Sequence, residues 1–394
     1  MTPGSIGRAA NDLAARAASD PASMVVPRYG HSTLADLMPS IGAHLGVPGC
    51  DRPAIELPDS DRYVVVLIDG LGWQLVRRAI QHVPYLAGLL GDAEPITSAV
   101  PSTTVTSLAC LGTGLPPGQH GLVGYTSRVP ETGELLNALT WDSDLVARNY
   151  QPQPTFFERA AADGVAVSSV ALERFKATGL TEAALRGADF VSFEHEKHED
   201  TRIELTVAAS KRGRRSLVYA YERELDHCGH VEGSASPTWL EHLIRIDAMC
   251  ERLRDELPDD VRMVITGDHG MIDVPPNHRL VVEDEPELVA GMSALAGEGR
   301  FRQVYVDHDH PQAVAARWRD RLGDTAWVLT RDEAIDAGWF GPVADWVRDR
   351  YGHVLVAMRD DYALMTRQFP RELSLVGMHG SLTPAEIMVP LFTD

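Results

Sequence analysis

The segment Tyr63-Val-Val-Val-Leu-Ile68 runs straight into Asp69-Gly70. An unbroken apolar run, mostly β-branched, leaves no polar face for water. Such a run fits a strand covered on both sides, as in the parallel sheet of an α/β protein. Similar runs recur at Val165–Leu172, Ser216–Tyr221 and Val261–Thr266. Between and around them, helical spacing appears at Trp73–Leu90, Phe156–Asp163 and Trp239–Leu257. Strands alternating with helices predict an α/β fold with a mostly parallel central sheet.

The chain divides by texture. Residues 1–60 read as an N-terminal arm with packing helices near Ala9–Ala18 and Thr33–Leu45. Residues 61–274 read as the α/β core. Residues 275–371 mix strand-like pieces (Phe301–Val306, Trp327–Thr330, His353–Met358) with helical ones (Pro311–Leu322, Arg331–Ala337), as a small α+β cap insertion would. Residues 372–394 return to the core and carry His379.

Composition narrows the function. With 56 acidic and 36 basic residues the formal charge is −20, which argues against gripping polymeric nucleic acid. An anionic small molecule stays open, because bound metal inverts a local charge. Four cysteines are spread along the chain without a CxxC pair, as expected of reduced thiols in a cytoplasmic protein. No apolar run approaches the ~18 residues of a membrane helix, so no membrane partner is expected. The oligomeric state is not assigned.

The polar residues of interest stand where the apolar runs stop. Asp69 follows the first run, Asp226 and His230 come just after Ser216–Tyr221, Asp268 and His269 follow Val261–Thr266, and His379 comes late. In an open parallel sheet, ligands bind outside the carboxyl ends of the strands, so these residues converge on one edge. Carboxylate oxygens and imidazole nitrogens are zinc ligands. Three aspartates and three histidines are too many for one open catalytic zinc, but shared three and three they suit two metals. Singly, each has an ordinary structural reading: a turn aspartate, a surface i,i+4 pair, a solvated histidine.

The stretch Val100-Pro-Ser-Thr-Thr-Val-Thr-Ser-Leu108 is a hydroxyl-rich turn opening a helix. A helix N-terminus offers free N–H groups and a positive dipole end to a phosphate. A threonine hydroxyl there is a weak nucleophile until a metal activates it. A plain helix cap is the competing reading.

Together these motifs resemble the alkaline phosphatase superfamily, and within it the nucleotide pyrophosphatase/phosphodiesterase branch. The resemblance rests on Asp69-Gly, Pro101-Ser-Thr-Thr104, Gly114-Leu-Pro-Pro-Gly-Gln-His120-Gly, Asp226-His-Cys-Gly-His230, Gly267-Asp-His-Gly-Met271 and His379-Gly, in that order. It implies a three-layer sandwich fold and a hydrolase of phosphodiester or pyrophosphate bonds in small, nucleotide-like substrates. It further implies Thr104 as nucleophile, forming a covalent phospho-threonine. It implies two Zn2+ ions, one held by Asp69, Thr104, Asp268 and His269, the other by Asp226, His230 and His379. Ser107 stands where the branch usually has an asparagine donating to phosphate, and Val105 where it has an aromatic. Tyr125 is then the candidate substrate-stacking residue.

Two rivals remain. A phosphomonoesterase or phosphonate hydrolase on the same scaffold would need more positive charge near the phosphate; none flanks Thr104, though Arg300 and Arg302 are candidates to supply it. A non-enzymatic metal-binding protein would be expected to lack a ligand or the nucleophile, and none is missing.

Overall fold

The computed structural model describes residues 23–91, 93–307 and 310–394; the helix expected at Ala9–Ala18 lies outside them. The central sheet is built from β1 (Arg62–Ile68), β2 (Ala166–Leu172), β3 (Asp189–Phe193), β4 (Ser216–Glu222), β5 (Val261–Gly267) and a last strand, Leu391–Thr393. From one edge the order is Leu391–Thr393, β5, β1, β4, β2, β3. All pairs are parallel except the first, where the C-terminal strand runs antiparallel to β5.

β1 shows why its sequence has no polar face. Tyr63, Val65 and Leu67 pack into the core on one side, Val64, Val66 and Ile68 on the other, and all six are 0–2% exposed. Burying such a side chain stabilises the fold by about 1.5–3 kcal/mol. On the first face lie α1 (Leu34–His44), α3 (Thr104–Thr113) and α4 (Phe156–Ala162); on the second lie α2 (Trp73–Ala79), α5 (Glu199–Ser210) and α7 (Pro237–Glu256), with α6 (Glu224–Glu232) beside α7. This is a three-layer α/β sandwich. The helical spacing over Trp73–Leu90 does not give one helix. It breaks into α2, a 3-10 turn at Ile80–His82 and a second helix, Pro84–Leu90. Pro84 has no N–H and its ring crowds the preceding turn, so it starts a helix rather than continuing one.

A second sheet is antiparallel and has four strands: β6 (Ala294–Glu298), β7 (Phe301–Tyr305), β8 (Ala326–Thr330) and β9 (Val354–Met358), ordered β6-β7-β9-β8. One face carries α8 (Pro311–Leu322) through Trp318 and Val314; the other packs Phe301, Leu355 and Ala357 on Val100, Leu382 and Ile387 beside the central sheet. The β6–β7 hairpin is clamped to its surroundings. Arg300 Nη2 pairs with Glu386 Oε2 at 2.7 Å, both side chains fully buried, and Arg302 pairs with Glu372. Breaking a buried pair by removing one partner costs about 3–5 kcal/mol. Arg300→Ala is therefore expected to lower the unfolding free energy by about 3–5 kcal/mol in a urea titration. A loss near zero would mean that the pair clamps nothing.

Candidate active site

Register brings the site together. Ile68 lies opposite both Glu222 and Gly267, so the chain leaves β1, β4 and β5 at one level. Asp69 and Asp268 each follow their strand by one residue. Gly70, at φ +75°, makes the turn after Asp69; a Cβ there would sit 3.0 Å from the Asp226 Cβ. Only glycine takes that conformation at no steric cost and also leaves room for Asp226. Asp226 and His230 are one turn apart on α6, on the same face.

Two groups of convergent ligand atoms result, Asp69/Asp268/His269 and Asp226/His230/His379, with the atoms of each group all within 4.8 Å of one another. In the first, His269 Nε2 lies 3.3 Å from Asp69 Oδ1 and 3.5 Å from Asp268 Oδ2. In the second, His230 Nε2 lies 3.4 Å from Asp226 Oδ2, and His379 Nε2 lies 3.3 Å from His230 Nε2. The His269 and His379 rings stack at 3.6 Å, so the groups adjoin. Thr104 heads α3, where the first N–H groups have no intrahelical acceptor. Its Oγ1 is 3.2 Å from His269 Nε2 and 3.5 Å from Asp69 Oδ1. Thr103, the neighbouring residue, is the helix cap, and its side chain makes no capping bond.

The donor set fits a cation. His230 Nδ1 donates to Gly377 O at 2.8 Å, His269 Nδ1 to Gly270 O at 3.0 Å, and His379 Nδ1 to Ser102 O at 2.9 Å. A carbonyl only accepts, so each Nδ1 carries the proton, and in a neutral ring Nε2 turns a lone pair inward. Two such lone pairs facing each other at 3.3 Å repel unless a positive ion lies between them. Asp226 Oδ1 and Asp268 Oδ2 are buried without a hydrogen-bond partner, as atoms meant for a cation are.

The electrostatics agree. Burial, then the neighbouring Asp69, push Asp268 well above the usual carboxylate range, and burial raises Asp226. Burial would also raise Asp69, but hydrogen bonds with His269 and Tyr221 outweigh it and hold it low. Burial would lower His269, but Asp268 and Asp69 outweigh it and raise it. Burial, with His269 and His230 adding to it, drives His379 well below its ordinary value. Carboxylates that draw a proton this strongly would draw a divalent ion in the same way.

Four further candidates stand outside the two ligand groups. Ser107 lies one turn after Thr104 on α3 and is fully buried, and its Oγ has no partner. Tyr125 stands half-buried, its phenol oxygen accepting from Asn137 Nδ2 at 3.0 Å, and the charges acting on it are Glu372, Glu298 and Arg371. Arg300 and Arg302 do not serve a phosphate. Both are fully buried, and Glu386, Glu372 and the carbonyls of Gly297, Met358, Arg359, Tyr362 and Leu364 take up their donors. The two arginines, candidates in the sequence for positive charge near a phosphate, clamp the hairpin instead. Tyr221 went unnoticed in the sequence. Its hydroxyl donates to Asp69 Oδ2. Strand alternation through Tyr219-Ala-Tyr221 could have pointed to it. Glu298, behind His379, has no comparable signal.

An α/β sheet whose strand ends gather three aspartates, three histidines and a hydroxyl at a helix N-terminus defines a hydrolase of the phosphoester class. The family model described as type I phosphodiesterase / nucleotide pyrophosphatase matches residues 63–382, and the chain belongs to that family. Among solved structures, murine ectonucleotide pyrophosphatase / phosphodiesterase 5 aligns with TM-score 0.67 at 15% identity, covering 84% of this chain and 87% of that one. Phosphonoacetate hydrolase from Sinorhizobium meliloti 1021, in complex with phosphonoformate, aligns with TM-score 0.64 at 20% identity, covering 86% and 91%. A stretch of 59 residues is 34% identical to the catalytic subunit of Homo sapiens GPI ethanolamine phosphate transferase 3, spanning 15% of this chain and only 5% of that relative. No helix among the described residues is long and apolar enough to cross a membrane.

Proposed function

We propose that the protein hydrolyses phosphodiester or pyrophosphate bonds of small nucleotide-like substrates, with Thr104 as nucleophile and two zinc ions as cofactors. The observation that carries this is the position of Thr104 Oγ1, 3.2 Å from His269 Nε2 at the head of α3, with a second three-ligand group adjoining. Asp69, Thr104, Asp268 and His269 would hold one ion, and Asp226, His230 and His379 the other. The bound ions would supply the positive charge that lowers the pKa of the Thr104 hydroxyl and stabilises the leaving oxygen.

The chain's own residues do the rest. The Thr104 oxygen attacks phosphorus as its proton leaves to solvent; the Oγ–P bond forms while the bond to the leaving oxygen breaks, and that oxygen takes a proton from water. The free N–H groups at the start of α3 face the equatorial phosphate oxygens. The Ser107 hydroxyl, one turn along, is the spare side-chain donor. A water then attacks the phospho-threonine, its oxygen bonding to phosphorus as the P–Oγ bond breaks and Thr104 regains its proton. Two inversions give net retention at phosphorus.

Among the described residues, no arginine or lysine is hydrogen-bonded or ion-paired to any of the seven. A diester carries one negative charge and a monoester up to two, so this site favours the diester. On zinc-loaded protein, bis-p-nitrophenyl phosphate is expected to turn over at least about tenfold faster than p-nitrophenyl phosphate, about 1.4 kcal/mol of preference. The reverse preference would move the protein to the phosphatases. A nucleotide substrate is the family's implication, supported by a solved structure of an inactive murine relative in complex with AMP. Tyr125 is the proposed stacking surface.

A further inference from the structure

The β6–β7 hairpin brings a carboxyl to the back of the metal-ligand cluster. Glu298 closes β6, and its side chain is 13% exposed. Its Oε2 lies 3.6 Å from His379 Nδ1, on the side of the ring opposite Nε2, and its Oε1 is buried without a hydrogen-bond partner. Thr103, the cap of the nucleophile helix, is beside it as well. The chain makes room for it at Gly380, φ +127°, where a Cβ would come within 2.9 Å of Glu298 Cγ. Any residue with a side chain there would be strained and would push the carboxyl away.

The carboxyl is held in place from both sides. Thr126 Oγ1 donates to Gly297 O at 2.9 Å, and the Arg300–Glu386 pair fixes the turn that follows. The loop bearing His379 is fixed too: Ser102 N donates to Gly380 O at 3.0 Å, and Ser102 Oγ to Ser381 O at 2.7 Å. Ser102 O already accepts the His379 Nδ1 proton and fixes the tautomer, and Glu298 Oε2, at 3.6 Å, faces that same N–H as a charge rather than as a hydrogen-bond partner.

We propose that Glu298 is a positioning residue of the metal site: from the second sheet it steadies the orientation of His379 and strengthens Nε2 as a ligand. A carboxylate behind a metal-ligating histidine strengthens the ring as a ligand, and losing an outer partner typically costs 10–100-fold in metal affinity. Burial raises Glu298 to about 8 in the metal-free chain, and two divalent ions beside it would hold it ionised. The inference rests on the two-zinc reading above.

The test is zinc binding, read by competition with a chromophoric chelator, beside the melting temperature of metal-free protein. Glu298→Gln keeps the shape and removes the charge. It is expected to leave the metal-free melting temperature unchanged and to weaken one of the two zinc ions about 10–100-fold. A merely structural Glu298 would show wild-type affinity for both ions in this variant, and that result overturns the inference. Should the glutamine variant fail to fold, Glu298→Asp decides: one weakened zinc upholds the inference and two unchanged ones overturn it. Wild-type protein that takes up fewer than two zinc ions overturns the two-metal reading and this inference with it, whereas a wild type with two ions and an unaffected Glu298→Gln overturns this inference alone.

Discussion

Thr104→Ala is expected to abolish turnover, by at least about 10⁴-fold in kcat, while the protein stays folded and still takes up zinc. The reason is local. Among the hydroxyls of the turn, that of Thr104 is the one bonded to both His269 and Asp69. Ser102 donates to Ser381 O and faces away, and Ser107 is buried one turn along. Removing the Thr104 hydroxyl leaves two three-residue groups intact, so metal content should hold at two per chain. Thr104→Ser keeps an oxygen on a less constrained side chain and should retain measurable turnover. The covalent step has its own signature: with a chiral phosphorothioate diester, wild-type protein gives retention at phosphorus, and inversion would exclude the phospho-threonine. Near wild-type rates in Thr104→Ala would mean that the nucleophile lies elsewhere.

Much of this arrangement is legible in the sequence for a single physical reason. A strand buried on both faces has no polar residue to spare, so the first polar residues after it stand out. Asp69, Asp268 and His269 carry that signal, and parallel register turns it into proximity. The four-residue spacing of Asp226 and His230 needs only a helix to become a shared face. What could not be read depends on contacts between segments far apart in the chain. Nothing around Glu298 says that a hairpin from the second sheet reaches His379. Arg300 and Arg302 look like free charges until Glu386 and Glu372 arrive from the C-terminal segment. The break of the Trp73–Leu90 helix is a different kind of miss, since Pro84 was visible and its effect on the preceding turn follows from its ring.

Removal of the proposed zinc ions is the second large effect expected. A chelator such as EDTA is expected to remove all turnover and to lower the melting temperature, and two equivalents of zinc should restore both. Ligand binding to the native state alone adds RT ln(1 + [L]/Kd), about 4 kcal/mol at a thousandfold excess over Kd. The folded chain has reason to need that contribution. It buries Asp268 and His269 completely and Asp226 in large part, and it turns His230 Nε2 and His379 Nε2 against each other at 3.3 Å. Each ion also competes with protons. Burial raises Asp226 and Asp268, so protons compete with zinc for them more strongly than for free carboxylates, and apparent zinc affinity should fall as pH falls. Calorimetry in buffers of different ionisation enthalpy should show protons released on binding. Asp226→Asn separates the two ions. It removes the carboxylate that His230 Nε2 faces at 3.4 Å and leaves Asp69, Asp268 and His269 untouched. One zinc per chain should remain, with turnover reduced at least about 10²-fold because the leaving oxygen loses its stabilising charge. Two tightly held zinc ions in that variant, or full activity in EDTA, would show that these clustered acids and imidazoles serve something other than metal.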